Sequence, residues 1–224
     1  MSAREAVFTA VRTALGRRQA PQEARAAVAR RIASPTPNLL PRLDADLVAV
    51  FRVKAQAASC TVDQIAGPDE IRGAVGRYLD EQGWPRRLRI AAELATLGWD
   101  PDIAAEAGAA DPADAVSLVP AFAGIAETGS LVLLSGPDHP TTLNFVPEHH
   151  IVILPANRLV GHQEDVWALL RQECQTMPRT VNIITGPSRT ADVDQIVQIG
   201  VHGPKSVHCL LMGDESGLAA DERG

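Results

Sequence analysis

Apolar residues along this chain recur first at helical and then at alternating strand-and-helix spacing. Val7, Phe8, Val11 and Leu15 fall on one helical face, so the pattern predicts an amphipathic helix over Ser2 to Arg18, with Ser2 as its cap and Glu5 completing a capping box. A second helical segment, rich in Ala and Arg, covers Gln22 to Ile32. The run Ser34 to Pro41 cannot continue a helix, because its prolines lack an N–H and hold φ near −65°, and it reads as an extended linker. Helical period returns from Leu43 to Ala58 through Leu47, Val50, Phe51 and Val53.

From Cys60 onward, short apolar runs alternate with helical stretches. Cys60 to Ile65 predicts a strand, and Pro68 to Gln82 a helix whose inner face is Ile71, Val75, Tyr78 and Leu79. Strands follow at Leu88 to Ala91, Val116 to Val119, Ser130 to Ser135, His149 to Leu154, Val181 to Thr185 and Ser206 to Met212. A short helix or turn near Leu94 to Trp99 and a helix over Asp165 to Cys174 lie between them. The alternation predicts an α/β fold: an open, mostly parallel sheet with helices on both faces, preceded by a helical N-terminal extension. The expected division is residues 1–41 as extension and Pro-rich linker, 42–212 as the α/β domain, and 213–224 as a polar tail without ordered structure.

Composition narrows the function classes. Residues 1–60 hold ten Lys and Arg against four Asp and Glu, a balance of +6 that leaves −12 of the overall −6 for the remainder. A basic arm with 4% aromatic residues in the whole chain, and no finger or helix-turn-helix pattern, points to a protein partner rather than nucleic acid. The start Met-Ser-Ala-Arg-Glu-Ala-Val lacks a signal-peptide core and no apolar run approaches about 18 residues, so the expected location is cytoplasmic, without membrane association. The three cysteines, Cys60, Cys174 and Cys209, are far apart and form no Cys-x-x-Cys, so no zinc ribbon or iron–sulfur cluster can be built from this chain alone. No two of the six histidines lie three or four residues apart, and no metal site is expected.

The candidate chemistry sits in three short stretches. Val181 to Thr185 reads as a strand, Gly186 and Pro187 stop it, and Ser188 or Thr190 can cap a helix whose apolar face is Val193, Ile196 and Val197. A turn carrying Gly186, Ser188, Arg189 and Thr190 at a helix N-terminus can receive an anion; with Asp192 and Asp194 in the first turn, it also reads as an ordinary capped strand–helix junction. Glu127, before Thr128-Gly129-Ser130, reads either as a base or nucleophile in a turn that admits a ligand near the Gly129 backbone, or as a carboxylate holding that turn. His202, between glycines in Gly200-Val-His-Gly-Pro204, can donate to a ligand, while Gly200 serves equally as a helix C-cap. No Walker loop, Gly-x-Gly-x-x-Gly fingerprint or Gly-x-Ser-x-Gly elbow is present.

Glu127-Thr-Gly-Ser130, Pro147-Glu-His-His150, Gly186-Pro-Ser-Arg-Thr-Ala-Asp192 and Gly200-Val-His-Gly-Pro204 together resemble the lactate-utilization (LUD) domain family in order and spacing, most strongly over Ala113 to Met212. The resemblance implies a sheet related to the ribose-5-phosphate isomerase, glucosamine-6-phosphate deaminase and CoA-transferase group, and a part in oxidising L-lactate to pyruvate beside two iron–sulfur partner proteins. Longer relatives carry a ferredoxin-like cysteine cluster, which this chain lacks. The implied role is therefore an accessory, cluster-free subunit with no cofactor of its own, binding a small anionic ligand through Gly129, Ser130, His150, Gly186, Ser188, Arg189, Thr190, His202 and Gly203. Two other readings remain: an independent isomerase- or CoA-transferase-type enzyme using Glu127, and an assembly protein whose basic arm grips an acidic face of a partner.

Overall fold

The computed structural model describes residues 2–16, 20–34, 38–190 and 198–213. The chain forms two compact units, Met1–Leu40 and Pro41–Gly224.

The first unit holds helices α1 (Ala3–Ala14) and α2 (Gln22–Ala33). The capping box at Ser2 is in place: Glu5 N donates to Ser2 Oγ at 3.2 Å and Ser2 N to Glu5 Oε2 at 2.7 Å. The Arg4 and Arg12 guanidinia, one helical turn to either side, lie 5.6 and 5.8 Å from the Phe8 ring centroid. Neither helix contains a buried residue.

The second unit begins with α3 (Leu47–Ala57), capped by Asp46, whose Oδ1 accepts Ala49 N at 2.9 Å. Phe51 and Ala55 form its inner face, and Val53 is exposed. Strand β1 (Thr61–Ile65) leads through a 3-10 turn at Pro68–Glu70 into α4 (Ile71–Gln82), which buries the four residues its periodicity selected and ends at Gly83 in the left-handed region. Next come β2 (Arg87–Ile90), a 3-10 segment at Ala92–Leu97, β3 (Ala104–Ala107) and β4 (Val116–Pro120). These are followed by β5 (Ala123–Ile125), β6 (Ser130–Leu134), the short α5 (Thr142–Phe145), β7 (His149–Pro155), β8 (Leu159–Val160) and α6 (Gln163–Glu173). The described strands end with β9 (Val181–Ile184), β10 (Arg189–Thr190), β11 (Gln198–Ile199) and β12 (Ser206–Met212).

Six strands form one all-parallel sheet in the order β1-β12-β7-β4-β2-β3, the α/β architecture the alternation implies. A second, four-stranded sheet, β8-β5-β6-β9, is mixed, with β6 antiparallel to both β5 and β9. Runs that are apolar on both faces identify buried strands without saying which sheet takes them, and β6 and β9 join the second sheet. Arg189 and Thr190 pair antiparallel with Ile199 and Gln198, so the chain leaves the Gly186 turn as a short strand and Ser188 caps no helix, while a helix capped by Thr190 would fall outside the described residues. Asp192, Val193, Asp194, Ile196 and Val197 lie outside the described residues, as does the tail beyond Gly213.

Two glycines fix how α3 meets the second sheet. Gly129, with φ +67°, turns β5 into β6, and a methyl group added there would overlap Ala55 N and Lys54 C of the α3 backbone. Gly186, with φ +73°, places the same demand on Ala58 O. Side chains are excluded from both contacts.

Gly129→Ala should therefore lower stability by at least about 3 kcal/mol, combining left-handed strain with overpacking against backbone. Gly83→Ala supplies the control: φ is also +67°, but nothing lies within 4 Å of the added methyl, so it should cost about 1 kcal/mol. Urea midpoints of the two variants measure the difference, and equal losses would refute the close-approach account.

Candidate functional site

The Glu127–Ser130 turn and the Gly186 turn are neighbours. Ser130, buried at the start of β6, has its Oγ 2.6 Å from Thr128 Oγ1 and 2.6 Å from Thr185 Oγ1, so three hydroxyls run from one turn to the other. Both turns rest on the end of α3, which is followed by Ser59, a non-glycine residue at φ +68°. Cys60 follows, buried, with the Gly186 N–H directed at its thiol. Burial pushes that thiol up from its ordinary pKa, while the Gly186 N–H and the charge of Arg189 pull the other way.

Ser188 is clasped by the second motif. Its N–H donates to Pro204 O at 2.9 Å, its carbonyl accepts Gly200 N at 2.9 Å, and its Oγ accepts His202 N at 3.3 Å. Gly203 lies beside it, where an added methyl would stand 3.4 Å from Ser188 Cβ. His202 and Arg189 are both exposed, and Thr190 is paired with Gln198. Arg189 Nη2 donates to Ala58 O at 3.3 Å and contacts Ser59 Oγ. Its charge thereby meets the carbonyl end of α3, the negative end of a helix dipole. The arginine singled out as an anion receptor thus also acts as a C-terminal cap.

His150 stands deeper. Its Nδ1 is 2.8 Å from Ser117 Oγ across the β4–β7 pair, its Nε2 has no hydrogen-bond partner among the described residues, and burial pushes its pKa down to about 4. By strand alternation His149 faces the other way, toward α4, where it stacks on Trp84 at 3.6 Å. His208 shares that second face, stacked on Tyr78 at 3.6 Å and bonded through Nδ1 to Thr61 Oγ1 at 2.8 Å, with its Nε2 3.8 Å from Asp63 Oδ2. Burial pushes its pKa down to about 4 against the opposing pull of Asp63. Among the described residues, no group of three or more His, Cys, Asp or Glu is placed to hold a metal ion.

Glu127 has a partner that spacing along the chain does not reveal. Its Oε2 lies 2.9 Å from Nδ1 of His162, the residue before α6, and both side chains are half-buried. The Gly161-His-Gln-Glu-Asp165 stretch marks the start of a helix, since Asp165 Oδ2 accepts His162 N at 2.8 Å, but only the β5–β8 pairing brings His162 to Glu127. A carboxylate on Nδ1 orients an imidazole ring, an arrangement that suits proton transfer through Nε2. The structure therefore groups Ser130 with Gly129 and Gly186, groups Ser188 and Arg189 with His202 and Gly203, and places His150 in the main sheet and Glu127 with His162.

An open parallel sheet joined to a small mixed sheet through glycine turns defines an α/β protein without a nucleotide fingerprint. Residues 110–212 match the family described as LUD domain. The protein named "Uncharacterized protein YkgG" from Escherichia coli is 34% identical over 164 residues, covering 72% of this chain and 70% of that one. "Lactate utilization protein C" from Geobacillus thermodenitrificans is 28% identical over 170 residues, covering 72% and 68%. The chain belongs to the LUD domain family. A DUF162 family protein from Deinococcus radiodurans, known from its crystal structure, shares the fold with a TM-score of 0.59 over 77% of this chain and all of that one, at 18% identity.

The two buried histidines make stability depend on pH. Each is neutral in the folded protein down to about pH 4 but takes a proton near 6.5 when unfolded, so the unfolded state binds more protons between those values and stability falls as pH falls. Between about pH 7 and about pH 5 the loss should be roughly 2 kcal/mol for each histidine. Urea unfolding across that range should show it, with a shallower slope in His150→Asn; an unchanged slope would refute the assignment.

Proposed function

We propose that this chain is a cluster-free accessory subunit of a cytoplasmic system that oxidises L-lactate to pyruvate. In this reading it holds a small anionic ligand beside Ser188, Arg189 and His202 and works with two iron–sulfur proteins that carry the two electrons released. The observation that supports the reading is the clasp of Ser188 by main-chain bonds from Gly200, His202 and Pro204, which brings the two family motifs together with Arg189 next along the chain. Both described contacts of Arg189 come from Nη2, and a guanidinium has five N–H donors in a fork that matches a carboxylate. The name of the Geobacillus relative supports the pathway. The cysteines support the division of labour: Cys60 and Cys209 are buried, and burial pushes both thiols up, away from the thiolate that ligates iron.

Arg189→Ala should abolish calorimetric binding of L-lactate and L-lactate-dependent growth, at a stability cost of about 1 kcal/mol from the lost helix cap. The isolated chain should not oxidise L-lactate with an artificial electron acceptor. Growth of the variant at the parental rate, or robust turnover by the isolated chain, would defeat the proposal.

The Glu127–His162 pair favours a second reading, an independent enzyme of the CoA-transferase or isomerase type. Incubation with an acyl-CoA should then leave an added mass on Glu127. A protein whose mass is unchanged leaves the accessory role ahead.

A further inference from the structure

The direction in which the chain winds through the main sheet reverses between β2 and β4. From β2 it moves outward to β3, then returns to β4 on the other side of β2 and continues to β7 and β12. Connections leaving the carboxyl ends of β2 and β4 therefore part, and in open α/β sheets that parting is where a crevice for small molecules forms. Here it contains a cavity of about 250 Å³. Glu93 lines it from the β2 side and Pro120, Ala121 and Phe122 from the end of β4. The segment after β6, running to His139, completes the lining and is pinned to the β2 side by Ala92 N donating to Asp138 O at 3.1 Å.

The lining also says what would fit. Pro120, Ala121, Phe122 and Leu134 make the walls apolar. The neighbouring main chain is already committed: Ala121 N donates to Ile153 O, Phe122 N to Val132 O and Ser135 N to Thr180 O, each at 3.0 Å or less. Recognition therefore falls to side chains. Glu93 Oε2 lies 3.3 Å from His139 Nε2, and Ser135 Oγ accepts Thr180 N at 2.8 Å and retains its own proton to donate. Among the described residues, no lysine or arginine lines the cavity. Arg158, which stacks over the Phe122 ring at 4.7 Å, is held in a two-bond pair with Glu173 at 2.9 Å and donates to Phe122 O. A carboxylate ligand would meet Glu93 with no lysine or arginine of the described lining to offset it and with His139 Nε2 already on Glu93, whereas an ammonium or hydroxyl group can donate to Glu93.

We propose that this crevice is a second small-molecule site, which takes a short branched hydrocarbon bearing a primary amine or hydroxyl and is separate from the Arg189 surface. It does not depend on the lactate reading.

Isobutylamine, isobutanol and isobutyrate share a hydrocarbon body and differ in the group presented to Glu93. Titrated into the full-length 15N-labelled protein, isobutylamine and isobutanol should shift the amide resonances of Ala121, Phe122, Ser135 and Gly136, with isobutyrate binding at least about tenfold more weakly. Glu93→Gln should weaken isobutylamine at least about tenfold while leaving isobutanol nearly unchanged. Leu134→Trp should fill the cavity and remove all three responses; if that variant fails to fold, Glu93→Gln and the comparison of the three probes still decide. Isobutyrate binding as tightly as isobutylamine, an isobutylamine response unchanged by Glu93→Gln, or no response to any probe would overturn the proposal.

Discussion

The last turn of α3 lies with bare backbone against two glycines, Gly129 from one motif and Gly186 from another, and no side chain can enter either contact. Because a methyl group at either place would meet peptide atoms rather than a side chain that can swing away, the second sheet holds its position against α3 only while both positions stay glycine. The hydroxyl chain Thr128–Ser130–Thr185 then ties the two turns to each other, and Arg189 ties the second to the carbonyl end of the helix. Residues that look like a ligand cradle in the sequence thus first serve to join α3 to the second sheet. Whatever chemistry they perform is done on a platform whose geometry is already fixed by packing.

The main sheet carries an uncommon polar load for a buried layer. His150 and Ser117 lie on one face, and His149, His208 and Thr61 on the other, all near the amino ends of their strands. Each imidazole has one good hydrogen bond, and two of the three are additionally stacked on aromatic rings. Such neighbours suit neutral rings, which is why burial rather than a nearby charge sets their protonation.

Periodicity made much of this fold legible. The inner face of α4, the Ser2–Glu5 capping box and the buried strands β4, β7 and β12 all follow from side-chain spacing and local caps, which act within a few residues. Sheet membership was not legible, because β6 has the same two-sided apolar character as a central parallel strand and a four-residue run such as β9 carries no signal of which sheet takes it. That Arg189–Thr190 pairs as a strand was not legible either, because its partner, Gln198–Ile199, is set by long-range pairing and not by local caps. Of the site residues, the grouping of Ser188 with His202 and Gly203 was visible as motifs. The contacts of Glu127 with His162 and of His150 with Ser117 depend on strand register and have no local signature.

The strand order also governs when this protein can be finished. β1 is an edge strand whose partner is β12, and the bond between Thr61 and His208 spans 147 positions. On the ribosome, β1 emerges early and must wait, unpaired, until nearly the whole α/β unit has been made before β12 can slide between it and β7. The nascent chain therefore carries an open slot in its main sheet through most of its synthesis, and that slot is where a chaperone, or a misplaced strand from a neighbouring polypeptide, has its longest opportunity to bind.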